Sequence, residues 1–151
     1  MYRVLPFVVL LVSLVGTSYA AQGLIEKTSA YPVDETVRRV EGLLERKGIH
    51  IFAVVDHKKN AQGAGLELND EVLIVFGNPR LGTPLMQSNP TVGIDLPMKI
   101  LVWRDAAGQV RVAYNDPAYL VRRHGIADRG EVVAKMSAAL RRITDAATTP
   151  D

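Results

Sequence analysis

The turn Asp105-Ala106-Ala107-Gly108 constrains this chain more than any other stretch, because it joins two β-rich runs, residues 98–104 and 109–114. In the second run Val110, Val112 and Tyr114 alternate with Gln109, Arg111 and Ala113, the period of a strand with one buried face. Two such runs joined by a short polar turn ending in glycine make an antiparallel hairpin. Residues 49–56 and 71–77 are short β-rich runs bounded by turn residues; both read as buried strands, and both are candidates for the centre of a sheet. Residues 22–29 form a further, less regular strand.

Amphipathic helices frame this strand-rich middle. Val33, Val37, Val40 and Leu44 fall at helical spacing, Asp34 and Glu35 sit in the first turn, and Arg46 and Lys47 precede Gly48 at the expected C-cap. Near the other end Asp128 can cap a helix and Glu131 can reach back to it, after which Val132, Met136, Leu140 and Ile143 form one apolar stripe. Thr83 before Pro84, and Asp116 before Pro117, each put a side-chain oxygen at an N-cap and a proline at the first helical position, which predicts two short helices. The order strand, helix, strand, strand, hairpin, helix predicts an α+β fold: a mostly antiparallel sheet covered by helices, in a single compact domain. That domain is expected over residues 21–147, with residues 148–151 fraying.

Ahead of it, Arg3, the apolar run 4–15 and the closing Gly16-Thr17-Ser18-Tyr19-Ala20 have the order of a secretory signal peptide. The run is shorter than the roughly 20 apolar residues that span a bilayer. Residues 1–20 are therefore expected to be a cleaved leader, which makes the protein periplasmic or secreted with no stable membrane anchor after cleavage. The 18 basic and 16 acidic residues nearly cancel. The pairs Arg38-Arg39, Lys58-Lys59, Arg122-Arg123 and Arg141-Arg142 are scattered and broken by acids, so no stripe for nucleic acid is expected. The absence of cysteine excludes disulfides, thiolate metal sites and a cysteine nucleophile.

Several segments, taken in order, carry a family resemblance. Asp56-His57, Phe76-Gly77-Asn78-Pro79, Gly82-Thr83-Pro84-Leu85-Met86-Gln87, Asp95-Leu96-Pro97 leading into Ile100-Leu101-Val102-Trp103, and Tyr114-Asn115-Asp116-Pro117 ahead of Arg123-His124-Gly125 resemble the Domain of Unknown Function 302 family. The resemblance spans roughly residues 24–143 and implies a small α+β fold in which helices cover a sheet, assembled as a homodimer. It implies no activity and assigns no site residue.

Candidate chemistry must then come from the residues themselves. Asp56-His57, at the end of a strand, offers a carboxylate and a histidine, and His57 with Asp56 or Asp116 could serve as acid and base; the plainer roles are an N-cap for Asp56 and a structural place for His57. His57 or His124 with Met86 could ligate haem or copper, although no histidines share a helical metal spacing and methionines 86, 98 and 136 stand apart along the chain. Ser29, Ser88 and Ser137 lie in no nucleophile elbow, and the glycines form no phosphate-binding pattern. A ligand pocket is the remaining expectation. Asn78, Thr83, Tyr114, Asn115 and Asp116 sit at strand ends where short helices begin, and Trp103 and Tyr114 could grip a neutral or amphipathic molecule. The leading expectation is an exported module that binds a small ligand or another protein, with an acid/base enzyme and a haem or copper protein as alternatives. Whether any reaction is catalysed stays open.

Overall fold

A computed structural model describes residues 21–150; the expected leader, residues 1–20, lies outside them. The chain forms β1 (Leu24–Thr28), α1 (Val33–Arg46), β2 (His50–Asp56), α2 (His57–Gly63), β3 (Glu71–Gly77), α3 (Pro79–Ser88), a 3-10 turn (Pro90–Ile94), β4 (Met98–Arg104), β5 (Val110–Asn115), α4 (Pro117–Arg123) and α5 (Gly130–Thr148). The five strands make one sheet in the order β1-β5-β4-β3-β2, and every pairing is antiparallel. Strands β2 to β5 run as a meander. β1 adds to the far edge beside β5, so α1 crosses the whole sheet to connect β1 with β2.

Alternation of side chains divides the sheet into two faces. Ile74 and Phe76 of β3, Ile100 and Val102 of β4, and Val112 and Tyr114 of β5 point to the helices and are buried with Val40 and Leu44 of α1 and Leu140 and Ile143 of α5. Each such side chain contributes about 1.5–3 kcal/mol relative to exposure. The opposite face carries Leu73, Val75, Leu101 and Trp103, all half-buried, and among the described residues no helix layer is packed over it like that formed by α1 and α5.

The hairpin forms as the alternation predicts, with Val102 opposite Val112 and Ile100 opposite Tyr114. Asp105 builds its turn by accepting from the N–H groups of Ala107 at 3.0 Å and Gln109 at 2.9 Å. Gly108 closes it at φ +83°, a conformation that side chains with a Cβ disfavour.

Several expectations are corrected. β2 is an edge strand rather than a central one, with Phe52 and Val54 52% and 45% exposed; its apolar run is not enclosed by a further strand, and a register shift interrupts its ladder between Ile51 and Ala53. The helix foreseen at Thr83-Pro84 starts earlier, at Pro79, because Asn78 caps it by accepting from Arg80 N–H at 2.9 Å. Pro84 lies inside that helix, where it cannot donate to the carbonyl one turn back. Asp128 does not cap α5, which opens at Arg129 without a side-chain cap; the Asp128 carboxylate accepts from Ser88 Oγ instead. The last helix also runs to Thr148, which is buried and whose carbonyl accepts from Ala30 N–H at 2.9 Å.

Candidate functional site

Antiparallel pairing places the strand-end motifs at two different ends of the sheet. His50 stands opposite Gly77, and Asp56 stands opposite Val72, so the two ends of β2 are about 20 Å apart at the usual strand rise. Asn78 and Asp116 follow β3 and β5, and Asn115 ends β5, at one end of the sheet, whereas Asp56 ends β2 and His57 follows it at the other. The structure therefore does not bring His57 to Asp116 or to Asn78.

At the His57 end the polar groups have architectural work. Asp56 accepts from Lys59 N–H at 2.9 Å and so caps α2. Asp70 receives Lys58 Nζ at 2.7 Å and Arg104 Nε at 3.2 Å, joining α2 to the hairpin. The hydrogen bond from Lys58 is the main cause that holds the Asp70 carboxyl below its ordinary value; it outweighs the opposing effect of burial, and the bond from Arg104 adds a further lowering.

At the opposite end the five expected pocket residues split. Asp116 caps α4 through Ala118 N–H at 3.0 Å and donates its own N–H to Gly23 at 2.8 Å. Tyr114 is only 4% exposed, and burial pushes its phenol up from the ordinary value. Trp103 cannot share a ligand with it, since Tyr114 faces the helices while Trp103, paired with Arg111, lies on the other face of the sheet. Asn78 and Thr83 do come together. Both line a cavity of about 230 Å³ between the end of β3, α3 and α5, which Tyr114, Asn115 and Asp116 do not line.

The walls of this cavity are apolar. Phe76 and Met98 form its floor on the sheet, Leu140 and Ala139 come from α5, and Met86 and Met136 flank it. Methionines 86, 98 and 136, separate along the chain, thus meet around one space. Phe52 stands at the rim beside Gly77, where a Cβ would approach its ring to 3.3 Å, and His50 meets that ring edge-on at 4.6 Å between centroids. Phe52 and Met86, two of the large apolar side chains left exposed, both belong to this rim. Among the described residues no charged one lines the space.

His124 has a different occupation. Its Nδ1 lies 2.8 Å from Thr91 Oγ1 and its Nε2 lies 2.6 Å from Asp95 Oδ2, while Arg123 reaches the other Asp95 oxygen at 3.2 Å. The set has the constituents of a nucleophilic triad, but its hydroxyl is shared with a second partner. Thr91 Oγ1 also lies 2.8 Å from Asn89 Oδ1, an acceptor only, which competes with His124 Nδ1 for the single hydroxyl hydrogen. Asn89 Nδ2 donates to His124 O at 2.7 Å and fixes that amide orientation. The arrangement is a clasp between the 3-10 turn and the end of α4. It occupies both ring nitrogens of His124, so this histidine does not join Met86 as a ligand pair. Among the described residues no three histidine, aspartate or glutamate side chains converge as a metal site.

The cavity walls were present in the sequence only as core positions, and nothing in the spacing of the methionines announced their convergence. The capping carboxylates of Asp56 and Asp116 were legible, because a cap is local, whereas the Asn78 amide cap of α3 was not, nor was the loss of Asp128 as a cap.

Comparison with known proteins agrees with this architecture. The model of the family described as domain of unknown function DUF302 matches residues 25–143. A crystal structure of an uncharacterized conserved DUF302 protein from Bacillus stearothermophilus superposes with a TM-score of 0.75 at 22% identity, covering 84% of this chain and 99% of that one. Proteins named fluoride-specific ion channel FluC 1 in Brucella suis biovar 1 and Brucella abortus biovar 1 are each 42% identical over 113 residues. That match takes in 75% of this chain but only 44% and 42% of theirs, so the chain spans less than half the length of these curated relatives.

Proposed function

The chain belongs to the domain of unknown function DUF302 family, and on that premise we propose that it is an exported module whose task is to hold a small ligand in the cavity between β3, α3 and α5. The observation that carries this reading is the open apolar space of about 230 Å³ with an exposed phenylalanine and methionine at its rim. It is larger than the roughly 150 Å³ apolar cavity that accepts benzene. Apolar walls with a few polar groups at one side are the usual make-up of a small-molecule site. The leader pattern in residues 1–20 supports export to the periplasm, and the bare apolar face of the sheet supports a homodimer. The channel activity in the relatives' names is not extended to this chain, which spans less than half of those proteins; among the described residues no helix is long and apolar enough to cross a membrane.

A second reading, a copper-handling module, is favoured by one observation: three thioethers line the same cavity, and soft sulfur ligands suit Cu(I). Native mass spectrometry of the protein from the periplasmic fraction tests both. A subunit mass lacking residues 1–20, a dimeric assembly and an organic adduct that disappears in Ala139→Phe are the expected results, the variant closing the cavity from α5 at a packing cost of about 1–3 kcal/mol. An adduct with the mass of copper would select the second reading. Retention of the organic adduct in a folded Ala139→Phe protein would move the site elsewhere.

A further inference from the structure

The lining of the cavity also restricts the charge and the hydrogen bonding of what it holds. Among the described residues, only the side chains of Asn78 and Thr83 around it are polar, and none is charged. An ionised group seated among Phe76, Met98 and Leu140 would lose its water and meet no counter-charge, a cost that apolar burial elsewhere in a small molecule does not offset. The thioethers of Met86, Met98 and Met136 are flexible and polarisable and make favourable contacts with aromatic rings. The body of the ligand is therefore uncharged, and rings suit the walls.

Asn78 fixes the sense of the polar contact. Its Oδ1 is committed to Arg80 N–H at 2.9 Å, as the N-cap of α3. That assignment orients the amide, so what Asn78 can offer a ligand is its NH₂ group, and among the described residues no protein acceptor takes those hydrogens. A donor at the rim of an apolar cavity calls for an acceptor on the ligand. Resting on the reading of this cavity as a ligand seat, we infer that it selects an uncharged aromatic or comparably compact apolar molecule carrying one accepting oxygen, such as a ketone, quinone or ether, held by the Asn78 amide.

The test compares two molecules of equal heavy-atom count, 1-acetonaphthone and 1-naphthoate, which differ in charge at the same position. Binding is measured by calorimetry on the full mature protein for wild type, Asn78→Asp and Ala139→Phe. Asn78→Asp keeps a capping oxygen for Arg80 N–H, so the fold and α3 survive, but it replaces the donor with a carboxylate. The ketone is expected to bind wild type at least about tenfold more tightly than the naphthoate, to lose about tenfold or more in Asn78→Asp, and to be excluded by Ala139→Phe. Thermal unfolding of Asn78→Asp within a few degrees of wild type separates loss of the contact from loss of the fold. Equal or tighter binding of the naphthoate, or an unchanged ketone affinity in Asn78→Asp, overturns the inference while leaving a ligand seat in place. Failure of both molecules to bind wild type, or binding that survives Ala139→Phe, overturns the seat as well.

Discussion

At His124 a histidine sits 8% exposed at its side chain against an Asp95 that is 13% exposed, and each ring nitrogen faces an oxygen within 2.8 Å. Asp95 is 29 positions away in sequence, and it holds Arg123 as well. These two motifs were visible in the chain as separate pieces, Asp95-Leu96-Pro97 and Arg123-His124-Gly125, but nothing in either named the other as its partner. Side-chain pairing over such a separation is decided by topology, not by local pattern. The consequence is a role in stability. Asp95→Asn keeps the shape of the side chain yet removes its charge and one of its two accepting oxygens, so it can accept from only one of Arg123 and His124 and turns a donor toward the other; it is expected to cost about 1–3 kcal/mol in denaturant unfolding, and His124→Ala a similar amount. His57→Ala, by contrast, removes a side chain from the first turn of α2 at the far end of the sheet and is expected to leave binding at the proposed ligand seat unchanged. A loss of binding in folded His57→Ala would return that histidine to the functional site.

Among the elements, those whose boundaries depend on nearby residues were legible and those whose boundaries depend on distant ones were not. Asp56 and Asp116 cap their helices as the sequence pattern anticipates, since the oxygen and the N–H it receives are two or three residues apart. The start of α3 was misplaced because two Xaa-Pro signals, Asn78-Pro79 and Thr83-Pro84, offer the same local chemistry, and only packing against α5 and the sheet selects the first. β2 was misplaced in the sheet because an apolar run looks the same whether or not another strand lies beside it. The element junction between α2, β3 and the hairpin rests on Asp70, whose carboxyl is held below the ordinary range chiefly by its hydrogen bond from Lys58. A carboxyl depressed in the folded state contributes stability that is fully present above its unfolded value and is lost as pH falls through its folded value. The stability difference between wild type and Asp70→Asn is therefore expected to be greatest at neutral pH and to close in acid, below the ordinary carboxylate range. A difference that stays constant from neutral pH into acid would show that the Asp70 charge is not what matters there.

For the whole molecule, the α+β class and the helix-covered antiparallel sheet followed from the element order and the hairpin, while the division of the sheet into a covered and a bare face did not. Strand alternation in β3 and β4 is apolar on both sides: Ile74 and Ile100 point to the helices, while Leu73, Val75 and Leu101 point away from them. A sheet with solvent on one face ordinarily puts polar residues there. Here the face opposite the helices is apolar at its centre and bordered by Glu71, Lys99 and Arg111, the layout of a contact surface with a charged margin. Packing two such sheets face to face would bury both centres by the same geometry that joins sheets within a single domain. Leu101 lies on β4, the middle strand of the five, so a lysine there places two charges near the axis of a symmetric pair. If the proposed homodimer forms through this face, Leu101→Lys is expected to convert it to a monomer in sedimentation velocity while the proposed ligand seat, on the other side of the sheet, keeps its affinity. If the variant remains dimeric, the copies meet elsewhere, and the exposed edge of β2 with Phe52 and Val54 becomes the next surface to alter. If affinity falls together with dimerisation, the cavity depends on the second subunit, and ligand binding and assembly are coupled across the sheet.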